Sequence, residues 1–351
     1  MAHNFSIAGR LIGRSHAPYI VAEMSGNHNG DINRAFAIME AAKDAGADAI
    51  KIQSYTADTI TIDHDGPGFT IKGGLWEGRT LYELYQEAHT PWDWHEALFD
   101  KASDLDIVLF SAPFDATAID LLETFNAPAY KIASFEAIDL PLIEKVAATG
   151  KPLIISTGMA DFSEIEAAVG AARGGGAEEL LVLHCVSGYP APVSDCNLAT
   201  IPDLAEKLDI MVGLSDHTLG IAVPIAGVAH GAVMIEKHIT LSRSDGGPDA
   251  AFSLEPDELK ELVDGVKNAW KALGQPNYDR KESEKENSIF RRSLYVIEDT
   301  AQGDTFTKQN IRSIRPGFGL APKYLPDVLG RRATRSVKRG DPLDWDMVSD
   351  A

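Results

Sequence analysis

The sequence is poor in cysteine, in long apolar runs and in positive charge, and each shortage excludes a class of protein. Its 351 residues include two cysteines, Cys185 and Cys196, which are too few for a disulfide scaffold and lack the CxxC spacing of a zinc site. No segment approaches the ~20 consecutive apolar residues of a membrane helix, and the N-terminus lacks the apolar core of a secretory signal. We therefore expect a soluble cytoplasmic protein with reduced cysteines and no membrane partner.

The net charge of −20 disfavours a nucleic-acid partner, because an acidic surface repels the phosphate backbone. The charge is unevenly distributed along the chain. Residues 289–351 contain 11 Lys and Arg against 8 Asp and Glu, a net charge of +3, so residues 1–288 carry −23. A basic tail can dock on an acidic body, although a solvated surface is the simpler explanation of the excess alone.

Before residue 273 the chain alternates between apolar runs typical of buried strands and segments with helical periodicity. The helical segments include 33–46, 92–105, 163–176 and 255–274. A doubly wound sheet stays possible, but the turn after the first run, AEMSGNHNG, is not the GxGxxG of a dinucleotide site. Eight strands close a parallel barrel, so we predict a (β/α)8 TIM barrel. The predicted strands are 19–23, 49–53, 107–111, 129–134, 153–157, 180–185, 211–215 and 233–238.

Polar side chains follow nearly every predicted strand, and in a barrel these strand ends share the face where active sites lie. His217 and His238 each close a strand, and two neutral imidazoles can hold one divalent metal while leaving most of its coordination sphere open. A satisfied histidine is the plainer explanation for either residue alone. Lys51 and Lys131 have apolar neighbours, so an inward-facing lysine is costly unless it meets an anion. With nearby serines they predict a pocket for a phosphate and a carboxylate.

Eight motifs follow one another along the chain: AEMSGNHNG (22–30), IKIQ (50–53), YKIAS (130–134), ISTGM (155–159), LHCVSGYP (183–190), GLSDHT (213–218), IEKH (235–238) and GPDAAFSLEP (247–256). Together they resemble the sialic acid synthase family, whose members condense phosphoenolpyruvate with an open-chain acetamido sugar using a divalent metal. RRSLYV (291–296) and RSIRPGFGL (312–320) resemble the family's C-terminal antifreeze-like domain. The resemblance implies a catalytic barrel at 1–272, a linker at 273–289 and an antifreeze-like (SAF, β-clip) domain at 290–351.

The resemblance also implies a role for each strand-end residue. His217 and His238 are expected to hold Mn²⁺, Mg²⁺ or Co²⁺, with Glu23 handling a proton and Glu236 contacting substrate or metal-bound water. Asp216 either orients a metal-binding histidine or caps the following helix. The residues expected to bind phosphoenolpyruvate are Lys51, Lys131, Ser134, Ser156, Ser187 and Ser215. Those expected to bind the sugar are Gln53, Tyr189, Asp249, Phe290 and Arg315, with the arginine supplied by the other subunit of a domain-swapped homodimer.

Two departures from the sialic acid synthases proper, VSGYP at 186–190 and RSDGGPDAAFSLEP at 243–256, resemble the pseudaminic acid synthase branch. The sugar of that branch is 2,4-diacetamido-2,4,6-trideoxy-L-altrose. Ala250, Ala251 and Phe252 are consistent with a less hydroxylated substrate. A legionaminic or N-acetylneuraminic acid synthase is the near alternative, and a Schiff-base aldolase using Lys131 or Lys51 is a distant one. The C-terminal domain as an independent carbohydrate-binding or ice-binding module is a third.

Overall fold

The fold, obtained as a computed structural model, is described over residues 5–350 and divides into two compact units, Met1–Gly274 and Gln275–Ala351. Each unit has an apolar core of its own. Over the described residues, no helix combines the length and apolar character needed to cross a membrane.

The first unit is a closed barrel of eight parallel strands in chain order, with the last strand pairing with the first. This confirms the predicted (β/α)8 TIM barrel. A short antiparallel hairpin, β1 (Phe5–Ile7) and β2 (Arg10–Ile12), precedes it and was not predicted. The barrel strands are β3 (Tyr19–Glu23), β4 (Ala49–Ser54), β5 (Val108–Pro113), β6 (Tyr130–Ile132), β7 (Leu153–Ser156), β8 (Leu180–Cys185), β9 (Met211–Asp216) and β10 (Met234–His238).

Helices connect the strands and cover the barrel, and their ends follow the local sequence. Asp31 caps α1 by accepting a hydrogen bond from the Asn33 amide, and Gly46 ends it in the left-handed conformation at φ 88°. The helices are α1 (Ile32–Ala45), α2 (Ala57–Ile60), α3 (Leu81–Ala88), α4 (His95–Asp104), α5 (Ala116–Thr124), α6 (Leu140–Ala147), α7 (Phe162–Gly174), α8 (Thr200–Leu208), α9 (Ala222–Ala229) and α10 (Pro256–Leu273).

The barrel interior changes character along its axis. Near the amino ends of the strands, Tyr19, Phe110 and Met234 pack with Phe5 and other apolar residues of the hairpin. Towards the carboxyl ends the buried side chains become polar, so the hydrophobic contacts that stabilise the barrel leave the opposite end free for chemistry. The buried polar residues at the carboxyl ends are Glu23, Lys51, Lys131, Ser156, Ser215, Glu236 and His238.

The second unit contains little regular structure. β11 (Ser293–Val296) pairs antiparallel with β12 (Ile311–Ile314), and a short helix, α11, spans Leu325–Val328. A 3-10 helix at Glu282–Phe290 precedes the strands. The core of this unit is formed by Leu294, Val296, Phe306, Ile311, Val328, Ala333, Val337 and Leu343.

Candidate active site

A cavity of about 320 Å³ lies at the carboxyl ends of the barrel strands. A larger cavity of about 750 Å³ lies at the amino ends of β9 and β10, but its lining contains neither a buried lysine nor a buried carboxylate. We therefore assign the chemistry to the smaller cavity. The predicted site residues that line it are Lys51, Gln53, Lys131, Ser134, Tyr189, His217, Glu236, His238 and Asp249.

Two lysines and two glutamates form a buried charge network beside this cavity. Lys51 Nζ lies 2.7 Å from Glu23 Oε2 and 3.6 Å from Glu236 Oε1, and Lys131 Nζ lies 3.1 Å from the same Glu236 oxygen. Ser215 Oγ donates to that oxygen at 3.1 Å, and Gln53 Nε2 donates to Glu23 Oε1 at 2.8 Å. The lysines were predicted to need an anion, and two carboxylates of the protein itself stabilise their charges.

The network gives its two glutamates different proton affinities. Burial alone would raise the pKa of Glu236, but the charges of Lys131 and Lys51 outweigh it and lower this pKa to about 2. Burial raises the pKa of Glu23, and the charge of Glu236 adds to the rise despite the opposing effect of Lys51. Burial lowers the pKa of Lys131. Glu236 is thus a fixed anion, whereas Glu23 is suited to exchanging a proton.

The two histidines face each other across neighbouring strand ends, with ring centroids 5.2 Å apart. Nδ1 of His217 lies 3.1 Å from the carbonyl oxygen of Val186, so this nitrogen donates, and Nε2 is the acceptor when the ring is neutral. Burial disfavours a charge on this ring, but the contact with Cys185 outweighs burial and raises the pKa of His217. Nδ1 of His238 is buried without a hydrogen-bond partner, 3.7 Å from Asp249 Oδ2. Burial, and next the nearby His217, hold the pKa of His238 well below its usual value, which keeps the imidazole neutral.

These features fit a divalent metal with two protein nitrogen ligands. A neutral imidazole with an unpartnered buried nitrogen and a second imidazole oriented by a backbone carbonyl are typical of metal-binding histidines. Within residues 5–350 no three or more His, Cys, Asp and Glu side chains converge as a ready metal site. A metal held by the two histidines would therefore keep most of its coordination positions for substrate or water.

Hydroxyl groups surround Gly158 in the loop after β7. A side chain at this position would collide with Ser187 Oγ and Ser134 Oγ, so only glycine leaves room between them. The Gly158 amide donates to Ser134 Oγ at 3.2 Å, and the hydroxyls of Ser156 and Ser187 have no hydrogen-bond partner. Unpartnered buried hydroxyls at the face of the barrel where two lysines also lie are suited to binding an anion from outside the protein.

Comparison with known proteins identifies the family. The model of the NeuB family matches residues 38–278, and the SAF domain model matches residues 291–349. The chain belongs to the NeuB family. A pseudaminic acid synthase of Helicobacter pylori is 44% identical over 333 residues, covering 94% of this chain and 98% of that protein. An N,N'-diacetyllegionaminic acid synthase of Legionella pneumophila is 36% identical over 343 residues, covering 96% of each.

A solved structure supports both the family and the fold. The crystal structure of an N-acetylneuraminic acid synthetase from Leptospira borgpetersenii, in complex with citrate, matches with a TM-score of 0.72 at 33% identity. It covers 82% of this chain and 96% of its own. The closed barrel, the SAF domain match and this structure together confirm the predicted barrel followed by a SAF domain and the resemblance to sialic acid synthases.

Three details of this NeuB site differ from the sequence predictions. Asp216 does not orient a metal-binding histidine; it accepts hydrogen bonds from the amide and hydroxyl of Thr218 and forms a buried ion pair with Lys237 at 2.5 Å. It does not cap a helix either, because α9 begins six residues later, at Ala222. Phe252 packs against the rings of the two histidines and Tyr189 instead of lining the cavity.

The remaining predicted residues lie outside the cavity lining. Glu23 and Ser215 lie behind it in the charge network, and Ser156 and Ser187 flank the loop after β7. Phe290 and Arg315 belong to the second unit, where both side chains are exposed. Their predicted contact with a sugar stays a prediction.

Sequence reasoning missed a carboxylate and an aromatic wall. Glu136, two residues after Ser134, lines the cavity with an unpartnered buried oxygen, and burial raises its pKa to about 7. Its position in the loop after β6 was a usable signal, because polar side chains that follow barrel strands lie at the face where active sites form. No comparable signal marked the aromatic residues of the lining other than Tyr189, which are Tyr55, Trp76, Tyr85, Phe114 and Phe135.

Proposed function

We propose that the chain catalyses condensation of phosphoenolpyruvate with 2,4-diacetamido-2,4,6-trideoxy-L-altrose and water, giving pseudaminic acid and inorganic phosphate. The observation that carries the proposal is the pairing of Lys51 and Lys131 on one ionised carboxylate, Glu236, within a cavity that two histidines also reach. The 44% identity to pseudaminic acid synthases, against 36% to a legionaminic acid synthase, supports the choice of sugar.

The anionic substrate is held by charge and by hydroxyl donors. Lys51 and Lys131 present ammonium groups to the cavity, and Ser156 and Ser187 near its edge have hydroxyls that lack partners within the protein. A substrate with a phosphate and a carboxylate supplies an acceptor for each group. Because Glu236 already neutralises part of the lysine charge, the site stays stable before the substrate arrives.

The reaction joins two carbons and breaks one carbon–oxygen bond. C3 of phosphoenolpyruvate attacks the aldehyde carbon of the open-chain sugar, and water adds to C2. Glu23 accepts a proton from this water and returns it to the oxygen of the former aldehyde, a role that its raised pKa favours. The tetrahedral carbon then releases phosphate by C–O cleavage and becomes the ketone. Phosphate leaves with the second proton of the water.

The two histidines are the proposed metal ligands. When Mn²⁺, Mg²⁺ or Co²⁺ is bound, it supplies Lewis-acid polarisation of the aldehyde oxygen. The protein's part is to orient His217, through the Val186 carbonyl, and to keep His238 neutral, through burial. Gln53, Tyr189 and Asp249 line the same cavity and are the proposed sugar contacts.

Phosphate release tests the proposal directly. Purified protein with phosphoenolpyruvate and Mn²⁺ should release phosphate with the trideoxy diacetamido altrose and much more slowly with N-acetylmannosamine or the legionaminic precursor. Chelation should abolish the reaction. If phosphate were released only with N-acetylmannosamine or only with the legionaminic precursor, that sugar would be the substrate instead. A borohydride-trapped adduct at Lys131, with activity unaffected by chelator, would indicate a Schiff-base aldolase instead.

We further propose that the protein is a cytoplasmic homodimer in which the SAF domain of one copy completes the active site of its partner. Exposed apolar side chains surround the mouth of the barrel, in the loops after β6, β7 and β9: Phe135, Ile138, Met159 and Leu219. The second unit exposes Phe290 and Phe318 on either side of Arg315 in the sequence, and it is basic where the barrel is acidic. Apolar and charge complementarity together favour this docking.

Mixing two inactive variants tests the exchange. Arg315→Ala should keep the dimer and the metal but lose turnover, and His217→Ala should lose metal-dependent turnover. Heterodimers formed by subunit exchange should recover part of the activity, since one site then has an intact barrel and an intact arginine. Arg312→Ala, which changes another exposed arginine of the same unit, should stay active on its own. Lack of recovery despite exchange confirmed by mass measurement would refute the shared site.

A further inference from the structure

The connection between β4 and α4 is unusually long for a barrel and contributes one wall of the active-site cavity. It includes α2, a bridge between Thr70 and Thr80, and α3, whereas most strand-to-helix connections are two to six residues. Long loops in a compact domain usually have a functional role. Its residues in the cavity lining are uncharged and apolar or aromatic: Tyr55, Ile60, Trp76, Leu84, Tyr85 and Ala88.

The cavity is therefore divided by polarity. The barrel strands contribute charged groups such as Lys51, Lys131 and Glu236, which suit the reacting carbons and the phosphate. The long connection contributes none of these charges. An acceptor sugar whose aldehyde lies near His217 and His238 would extend its other end towards this apolar wall.

Trp76 is the residue of this wall that is fixed in place. Its Nε1 donates a hydrogen bond to the Pro248 carbonyl oxygen at 2.8 Å, which connects the long connection to the loop after β10. Its ring lies 5.6 Å from the ring of Tyr189, which in turn lies 4.6 Å from the ring of His217. Because the indole N–H is satisfied by the protein, the ring has no further donor to offer a sugar hydroxyl.

We propose that Trp76 is a specificity-determining residue that selects a sugar whose far end carries a deoxy methyl group in place of a hydroxymethyl group. This inference rests on the proposed function. A methyl group packed on the indole gains apolar burial, whereas a hydroxyl at the same place loses its hydrogen bonds to water without replacement. An apolar wall of this kind discriminates against an added hydroxyl by about tenfold to a hundredfold.

The test compares two sugars that differ at one atom. The trideoxy diacetamido altrose and its 6-hydroxy counterpart are assayed with wild type, Trp76→Phe and Trp76→Ala by phosphate release. In the wild type we expect kcat/KM to favour the deoxy sugar by about tenfold to a hundredfold. Trp76→Ala should reduce this preference to within about threefold, mainly by raising KM for the deoxy sugar. Trp76→Phe should lie between the two.

The controls separate selectivity from loop integrity. Leu75→Ala changes the neighbouring, exposed residue of the same connection and should leave the preference unchanged. KM for phosphoenolpyruvate should stay within about twofold in all variants, because Trp76 lies on the wall without the lysines. An unaltered preference in Trp76→Ala, or an equal loss for both sugars together with phosphoenolpyruvate, would overturn the inference. A wild type that turns over neither sugar would refute the proposed function and the role of Trp76 with it.

Discussion

Replacing Glu136 by glutamine should stabilise the protein at alkaline pH while impairing catalysis. The carboxylate lines the cavity, and one of its oxygens is buried without a hydrogen-bond partner. Burial raises its pKa from 4.5 to about 7, against the weaker opposing effects of a backbone hydrogen bond and Lys131. Ionising this group is therefore less favourable in the folded protein than in the unfolded chain, and the difference lowers the free energy of unfolding.

The sign and size of the effect follow from proton linkage. Between pH 4.5 and about 7 the folded protein holds a proton at Glu136 that the unfolded chain has lost, so stability falls as pH rises through this window. One pKa unit corresponds to about 1.4 kcal/mol, so the loss approaches about 3 kcal/mol at pH 8 and about 1 kcal/mol at pH 5.5. Glutamine stays neutral and removes this loss, apart from differences between its amide and a protonated carboxyl group.

Urea unfolding at the two pH values measures the difference. Glu136→Gln should gain more free energy of unfolding at pH 8 than at pH 5.5, and its KM for the sugar should rise because the cavity loses a carboxylate. Glu166→Gln, on the exposed face of α7, is the matched control and should show no pH-dependent gain. An equal change in stability at both pH values would refute the reasoning, since a packing effect does not depend on pH.

Three further variants examine the charge network, the metal site and the strand pair behind it. Lys131→Met should weaken phosphoenolpyruvate binding by about 1.5–3 kcal/mol in KM measurements and change the sugar KM much less; equal effects on both substrates would contradict its placement. His238→Ala should abolish Mn²⁺ binding, measured by electron paramagnetic resonance of the free ion, while circular dichroism stays unchanged; retained binding would remove it as a ligand. Lys237→Met should lower the free energy of unfolding by about 3–5 kcal/mol because Asp216 is left buried and charged, and Lys237→Met combined with Asp216→Leu should recover most of that loss in urea titrations; no recovery would mean that the pair contributes more than charge balance.

The barrel was predictable because parallel strands covered by helices are apolar on both faces. Runs such as 180–185 and 233–238 therefore stand out from the helical segments, and the observed strands begin and end within two residues of those predicted. The hairpin β1–β2 was missed because three-residue strands leave no periodicity to detect. Helix α2 was missed because four residues are too few to show a period. Helix α3 was missed although Leu81, Leu84, Tyr85 and Ala88 recur at helical spacing.

The sequence predicts which residues form the site, but it does not predict which of them contact each other. Strand ends of a barrel meet at one face, so a list of polar residues that follow strands already contains His217, His238 and Glu236. Which group contacts which depends on register and on the direction of each side chain. Lys51 lies opposite Glu23 in the pairing of β3 with β4, and this contact cannot be inferred from their separation in sequence.

The alternation of side chains along β9 and β10 explains why Asp216 was misassigned. Successive residues of a strand point to opposite faces, so Asp216 faces away from the cavity that His217 lines. Asp216 lies opposite Lys237 in the pairing of β9 with β10. Lys237 stands between Glu236 and His238 in sequence and, like Asp216, faces away from the cavity. The two strands that carry the proposed metal ligands are thus joined by a buried ion pair on the side away from the chemistry. Within a strand, a carboxylate directly next to a histidine in sequence is for this reason not expected to contact it. A carboxylate two residues away lies on the same face as the histidine, as Glu236 does relative to His238.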